Sequence, residues 1–364
     1  MIITVLGGGN AAHGLAGDLA LKGHTVRLWE NPGFAAGIKY LQENGMVIKM
    51  TGIIEGEAHL SMVTTDAEAA VKGADIIYCM MPSFGQESAF EHIAPYVEPG
   101  QKILIMPGNF GSLSLYAKLK SRGIEKDVLL GEADTIPYAV RLEKDKSCNV
   151  WGIKGTVWVS AVPGKNTARL IEEITPGFPI GFTVHRDVFS VALANTNMII
   201  HCPTMIMNAG RIESGERFRF YNDGMTESVC RVMEAMDAER LEVGKAWGYD
   251  LMTEFDDAQA NYVLPRNDYK NLYEIFSTHP VYGNHGVDSP TAMSSRYLTE
   301  DVPFLLVPLY EMGKLAGVPT PTVESVIQMA SVINEINYKD TGRGMKALGL
   351  GALSMKGIED YILG

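Results

Sequence analysis

A mostly parallel α/β sheet in the first half and an all-α second half are what this sequence predicts, on three observations. From the first residue to about residue 185, short β-branched or apolar runs alternate with helical patterns, the rhythm of repeated βαβ units. A glycine-rich turn, Gly7-Gly8-Gly9-Asn10-Ala11-Ala12, follows the first apolar run directly and opens a helix. After Arg186 strand-like runs nearly vanish, and stretches rich in Met, Ala, Leu and Glu follow. The predicted division is therefore 1–186 and 187–364, which suits a chain of 364 residues because one core stops growing at about 250 to 300 residues.

In the first half the expected strands are Ile2–Leu6, Thr25–Glu30, Asp75–Met80, Lys102–Met106 and Val128–Gly131. Each is a near-continuous apolar run, as burial on both faces requires. Helices are expected near Ala11–Lys22, Ala67–Val71, Gln86–Ala94 and Leu113–Lys120. Val150–Ile153 and Val157–Ala161, separated by Lys154-Gly155, read as antiparallel strands extending the same sheet. In the second half the expected helices are Val188–Met207, Met225–Trp247, Val302–Leu315 and Thr322–Asn337, the last two parted by Gly317-Val318-Pro319-Thr320-Pro321.

A formal charge of −12 repels phosphate backbones and anionic lipid, so neither nucleic acid nor a membrane surface is expected as a partner. The four cysteines are far apart and form no C-x-x-C pair, which fits a reducing compartment without structural disulfides or a metal site. No basic leader opens the chain and no segment nears the roughly 18 apolar residues of a membrane span, so a soluble cytoplasmic protein is expected.

The glycine turn matches G-x-G-x-x-A between a strand and a helix, the dinucleotide fingerprint of a Rossmann-type domain. Gly7 permits the tight turn, Gly9 lets the backbone approach a pyrophosphate, and Ala12 packs the helix close to the strand. The first helical turn, with Asn10, Ala11 and Ala12, offers N–H groups and a partial positive charge to phosphate. Glu30 closes the second strand about 20 residues on, where an acid accepts hydrogen bonds from ribose hydroxyls. The following Asn31-Pro32-Gly33-Phe34 has no cation for a 2′-phosphate, so NAD is favoured, with NADP as the alternative. Pro82, in Met81-Pro82-Ser83, and Asn109, in Pro107-Gly108-Asn109, follow strands on the crevice side and are candidates to line the dinucleotide. Plain turns are the alternative reading of both loops.

Hydride transfer to a carbonyl or imine needs a proton donor beside the reacting carbon, and histidine is suited to this near neutral pH. His24, His59 and His92 read as turn or exposed-helix residues. His201 lies in an otherwise apolar helical stretch, with Asn197 one turn earlier on the same face and Pro203 expected to bend or break the helix. A satisfied core histidine is the alternative reading. An acid-base histidine also needs an acceptor on its second nitrogen, and spacing alone does not single one out. Asp301 reads as a helix cap with Pro303 in the first turn, or as such an acceptor. Arg296 is a candidate to grip a substrate carboxylate, or an ordinary surface ion-pair residue. Tyr116 and Lys120 have the Tyr-x-x-x-Lys spacing of short-chain dehydrogenases, but the glycine pattern here is not theirs.

These residues fall in segments that resemble the opine dehydrogenases almost end to end: Gly7 to His13, Asn195 to His201, Asn208 to Gly215, Asp237 to Arg240, Arg296-Tyr297 with Glu300-Asp301, and Val307-Pro308-Leu309. The resemblance implies a Rossmann domain, a helical domain and an active site between them. It further implies reductive condensation of an L-amino acid with a 2-oxo acid such as pyruvate, using NADH or NADPH, and a homodimer. It assigns His201 as the catalytic histidine, Asp301 as its carboxylate partner, and Arg296, with Asn197 nearby, to substrate. The stretch Phe255 to Ser295, expected to help line the amino-acid pocket, lies outside the resembling segments. Two rival readings stand beside it: a 2-oxo or hydroxy acid dehydrogenase of the same two-domain plan that needs no amine, and a dinucleotide sensor that keeps the Rossmann domain without chemistry.

Overall fold

The computed structural model describes residues 1–260, 268–278 and 287–364. Part of Phe255 to Ser295 thus lies outside the described residues. The chain forms two compact units, Met1–Ala192 with Glu359–Gly364, and Leu193–Ile358. The dividing point falls inside the helix Val188–Ala194 rather than at Arg186. Buried Phe189 meets Phe110 edge-on at 5.2 Å, holding the start of that helix in the first unit. The last residues also belong to the first unit, where Glu359 pairs with Arg186 at 3.2 Å.

The strands of the first unit are β1 (Ile2–Leu6), β2 (Thr25–Trp29), β3 (Val47–Gly52), β4 (Gly56–His59), β5 (Met62–Thr64), β6 (Ile76–Cys79), β7 (Lys102–Ile105), β8 (Leu129–Ala133), β9 (Tyr138–Leu142), β10 (Cys148–Ile153), β11 (Thr156–Ala161) and β12 (Gly181–Val184). Eight of them form one sheet in the order β12-β11-β8-β7-β6-β1-β2-β5, parallel throughout except where β11 meets β8. The five strands expected from apolar runs appear as β1, β2, β6, β7 and β8. From β1 the chain winds outward to β2 and β5, then returns to β6 on the other side of β1. The strand order therefore reverses between β1 and β6, which opens a crevice at their carboxyl ends.

The expected antiparallel pair across Lys154-Gly155 does not form. β11 joins the large sheet, whereas β10 joins a second sheet of order β4-β3-β10-β9. The reason lies in the helix Asn10–Leu21, whose Ala and Gly residues leave both of its faces open to close packing. A side chain at Gly17 would run into the Met50 sulfur of β3, and a Cβ at Gly14 would lie 3.0 Å from Val140 of β9. The second sheet lies against that helix, and Tyr138 Oη donates to Asp18 Oδ2 at 2.6 Å to fasten it.

The second unit is helical, with Asn197–Met207, Glu227–Ala246, Val307–Ala316 and Pro321–Asn334 as its longer helices. The expected helix Val188–Met207 is interrupted at Asn195-Thr196, not at Pro203. Asn195 Oδ1 accepts from Asn197 N at 3.2 Å, a local side-chain bond that competes with helix continuation. Pro203 sits inside the second helix. The expected Val302–Leu315 helix opens with a π-helical turn, Val302–Leu306. It ends at Gly317, whose φ of +70° lets Val318 N reach Gly313 O at 2.9 Å. Among the described residues no helix is long and apolar enough to cross a membrane.

Candidate active site

In the first unit the expected nucleotide residues gather at the carboxyl ends of β2, β1, β6 and β7. Gly7 has φ +119° and donates its N–H to Trp29 O at 2.7 Å, while a Cβ there would meet Met80 O at 3.1 Å. Glycine is therefore required by the turn itself. Gly9, at the start of the helix, has an ordinary φ of −89°, and a Cβ there would meet no protein atom within 4 Å. Nothing within the protein demands glycine at this position, so the open space suits a ligand that approaches the backbone closely. Buried Ala12 packs beneath, and the first-turn N–H groups at Asn10 and Ala11 point the helix's positive end the same way. The Asn10 side chain is used elsewhere, accepting from Leu142 N at 3.0 Å. These residues fit a dinucleotide pyrophosphate.

Glu30 is buried against this turn. Its Oε1 accepts from Asn31 N at 2.8 Å, and its Oε2 lies 2.6 Å from where a Gly8 Cβ would be. Gly8, the variable position of the fingerprint, is thus glycine because the acid occupies its side-chain space. Burial raises the Glu30 pKa, against backbone hydrogen bonds from Asn31 and Gly8 that lower it. Two backbone bonds leave a carboxylate with lone pairs for ribose hydroxyls. Pro82 leads into the helix Ser83–Ile93, and Asn109 Nδ2 donates to Ser83 Oγ at 2.8 Å, tying the β6 and β7 loops together.

Two residues here were given no role in the sequence reading. His13 Nδ1 donates to Gly9 O at 3.0 Å and braces the turn, and burial lowers its pKa. Glu132, fully buried, accepts from Phe110 N, Ser112 N and Ser112 Oγ at 3.0, 3.0 and 2.6 Å, holding the start of the helix Gly111–Ser121. A carboxylate there complements the helix dipole. Tyr116 and Lys120 both meet the ring of Tyr361, a packing role.

In the second unit His201 and Asp301, 100 residues apart in sequence, meet at 2.7 Å through Nδ1 and Oδ2. Both are buried. The Asp301 side chain caps no helix; at the entrance to the π-helical turn it is given to the imidazole. With Nδ1–H donating to a carboxylate, Nε2 of the neutral ring carries the lone pair, and Tyr221 Oη lies 3.3 Å from it. Tyr297 stacks on the imidazole at 4.0 Å with planes 20° apart, and Phe220 lies 6.0 Å away. The Cys202 thiol, beside Tyr297 O at 3.5 Å, has its pKa pushed well up by burial and then by the charge of Asp301. It is held as a thiol, not a nucleophile.

Asn197 opens the helix that carries His201, one turn before it. Arg296 begins the short helix Arg296–Thr299, adjacent to the stacked Tyr297; it is exposed, and its guanidinium has no side-chain partner among the described residues. The sequence reading passed over Tyr221 and gave Tyr297 no role of its own. An aromatic beside an Arg or in a polar loop carries no spacing signal, because the ring reaches His201 only through tertiary packing.

A buried charge network surrounds the break before Asn197. Arg240, fully buried, donates Nε to Asp237 Oδ1 at 2.9 Å, Nη1 to Leu193 O at 2.8 Å and Nη2 to Met252 O at 2.5 Å. Asp237 Oδ2 accepts from Glu254 N at 2.8 Å, and Thr196 Oγ1 donates to Asp257 Oδ2 at 3.3 Å. Glu254 bonds to Thr196, but its Oε2 is buried without a hydrogen-bond partner. Burial first, then the charge of Asp257, holds the Glu254 carboxyl well above the usual carboxylate range. A proton bound more tightly in the folded state stabilises the fold below the unfolded carboxyl pKa, and this is lost as pH rises through the higher folded value. Glu254→Gln, which copies the protonated acid, is expected to gain stability over the parent protein as pH rises from 5 to 8. Urea midpoints across that range check this; a difference independent of pH means that folding does not raise the Glu254 pKa.

The profile of the NAD/NADP octopine/nopaline dehydrogenase alpha-helical domain matches residues 184–334, and that of the NAD-dependent glycerol-3-phosphate dehydrogenase N-terminus matches residues 2–127. An opine dehydrogenase of Arthrobacter sp. (strain 1C) is 31% identical over 99% of this chain and 98% of its own length. Among solved structures, octopine dehydrogenase with NADH and L-arginine superposes with a TM-score of 0.78 at 21% identity, over 98% of this chain and 97% of that one. Yersinopine dehydrogenase with NADP+ superposes with a TM-score of 0.74 at 14% identity, over 100% of this chain and 98% of that one.

Proposed function

Because the chain belongs to the opine dehydrogenase family, NAD(P)-dependent oxidoreductases acting on CH–NH bonds, we propose that it joins the amino group of an L-amino acid to the carbonyl carbon of a 2-oxo acid such as pyruvate and reduces the resulting imine. The observation that carries the site assignment is the His201–Asp301 contact at 2.7 Å, which directs Nε2 to proton exchange. The neutral amine attacks the carbonyl carbon and one of its protons passes to the oxygen, giving a hydroxyl; the carbon–oxygen bond then breaks as that oxygen takes a second proton from His201 and leaves as water. Asp301 orients the imidazole and stabilises its protonated form. Arg296 grips the 2-oxo acid carboxylate with its paired N–H groups, and Asn197 offers its amide to the amino acid.

When bound, the dinucleotide supplies the hydride. Gly7, Gly9, Asn10, Ala11 and Ala12 hold its pyrophosphate, Glu30 its ribose hydroxyls, and Pro82 and Asn109 line its path. The Glu30 carboxylate disfavours a 2′-phosphate beside it, so NADH is preferred over NADPH. A reducing compartment such as the cytoplasm suits the four buried free thiols, Cys79, Cys148, Cys202 and Cys230. The family resemblance supports a homodimer.

Oxidation of NADH and of NADPH with a set of 2-oxo acids, each with and without a panel of amino acids, tests the reading. Turnover is expected only when the amine is present, and faster with NADH. Turnover with the oxo acid alone would make the protein a hydroxy acid dehydrogenase. Tight nucleotide binding with no turnover for any pair would favour a sensor.

A further inference from the structure

Nε2 of His201 must gain and lose a proton in each cycle, yet the residue is only 6% exposed. One face is covered by the stacked ring of Tyr297, and Nδ1 is committed to Asp301. Among the described residues, the polar group at Nε2 is the hydroxyl of Tyr221, 3.3 Å away. Tyr221 is itself held in place: its ring meets Phe220 edge-on at 5.4 Å and stacks on Phe276 at 6.3 Å. On either side, Phe220 N donates to Val287 O at 2.8 Å, and Asn222 Nδ2 donates to Phe276 O at 3.3 Å and Ser277 O at 3.4 Å. A hydroxyl both donates and accepts, and that of Tyr221 belongs to a half-buried residue beside the buried residue His201.

We propose that Tyr221 is the second member of a proton relay, passing protons between His201 Nε2 and the reacting oxygen. This rests on the opine dehydrogenase reading above. In the step that releases water, the Oη–H proton moves to the departing hydroxyl oxygen of the substrate. The Nε2–H proton moves to Oη in the same event, so Tyr221 is a neutral phenol before and after. The carbon–oxygen bond breaks, water leaves, and the positive charge passes from the imidazolium to the iminium. No electron changes hands and no further reactant is needed.

Tyr221→Phe keeps the ring contacts and deletes only the hydroxyl. It is expected to retain NADH binding and to lose about 10²-fold in kcat, with a smaller change in KM. In mixtures of H2O and D2O, kcat of the parent protein should follow the curved dependence of two protons in flight, and that of the variant a straight line. A packing role would not straighten that dependence. Nitrogen NMR of labelled histidine, with no substrate present, gives a second measure. The Nε2 resonance of neutral His201 should shift in the variant while the Nδ1 resonance, held by Asp301, stays. Unchanged kcat with an unchanged Nε2 resonance overturns the relay. Should no oxo acid and amine pair turn over in the parent protein, the reaction assignment fails instead, and the Nε2 resonance alone decides whether Tyr221 serves that nitrogen. Should Tyr221→Phe fail to bind NADH, 3-fluorotyrosine at position 221 preserves the shape. Its more acidic hydroxyl is then expected to alter the solvent isotope effect on kcat, and an unaltered effect overturns the relay.

Discussion

His201→Ala is expected to lower kcat by about 10²- to 10⁴-fold, the usual contribution of a positioned acid-base group. NADH binding is expected to survive, because the glycine turn, Glu30 and the helix N-terminus belong to the other unit and are untouched. The substitution also strips the buried Asp301 carboxylate of its partner, at a cost of about 1–3 kcal/mol in stability. His201→Asn separates the two effects. Its amide can still donate toward Asp301 but exchanges no proton near neutral pH, so it should be nearly as inactive and closer to the parent protein in stability. Steady-state kcat, nucleotide binding by fluorescence quenching and unfolding midpoints check all three. If either variant keeps more than about a tenth of parental kcat, His201 is not the acid-base group.

The nucleotide half was legible because its signals are local. The glycine turn, the apolar strand before it and the terminal acid are all read within about 30 residues, and backbone geometry alone makes Gly7 necessary. What stayed hidden depends on contacts distant in sequence. Gly8 looks like a spare position until Glu30 is found in its side-chain space. The second sheet was missed because short strands such as Gly56–His59 leave no periodic trace, while the helix they cover resembles one that buries only a single face. Pro203 drew attention as a helix breaker, but the break belongs to Asn195, whose side chain bonds to a backbone N–H two residues on. The His201–Asp301 contact spans 100 residues, and no spacing rule reaches that far; only resemblance to the family supplied it. The Tyr221 and Tyr297 contacts came from neither source.

Asp301→Asn is the complementary prediction, with kcat expected to fall by about 10²- to 10⁴-fold for a different reason. The side chain keeps its shape, so the helices and the Tyr297 stack should remain. At 2.7 Å from Nδ1 the carboxylate can only accept, which fixes the proton on that nitrogen and keeps the lone pair on Nε2. An amide at the same place can instead turn its NH2 toward Nδ1, which moves the ring proton to Nε2 and leaves the wrong tautomer. The same replacement in a Ser-His-Asp triad costs about 10⁴-fold by this route. Nitrogen NMR of labelled histidine in the parent protein and the variant distinguishes this from structural damage: the His201 ring proton should move from Nδ1 to Nε2 in Asp301→Asn, which a merely loosened fold would not bring about. A variant with undiminished kcat would mean that Asp301 only packs against the histidine, and the orientation of Nε2 would have to be set by its aromatic neighbours.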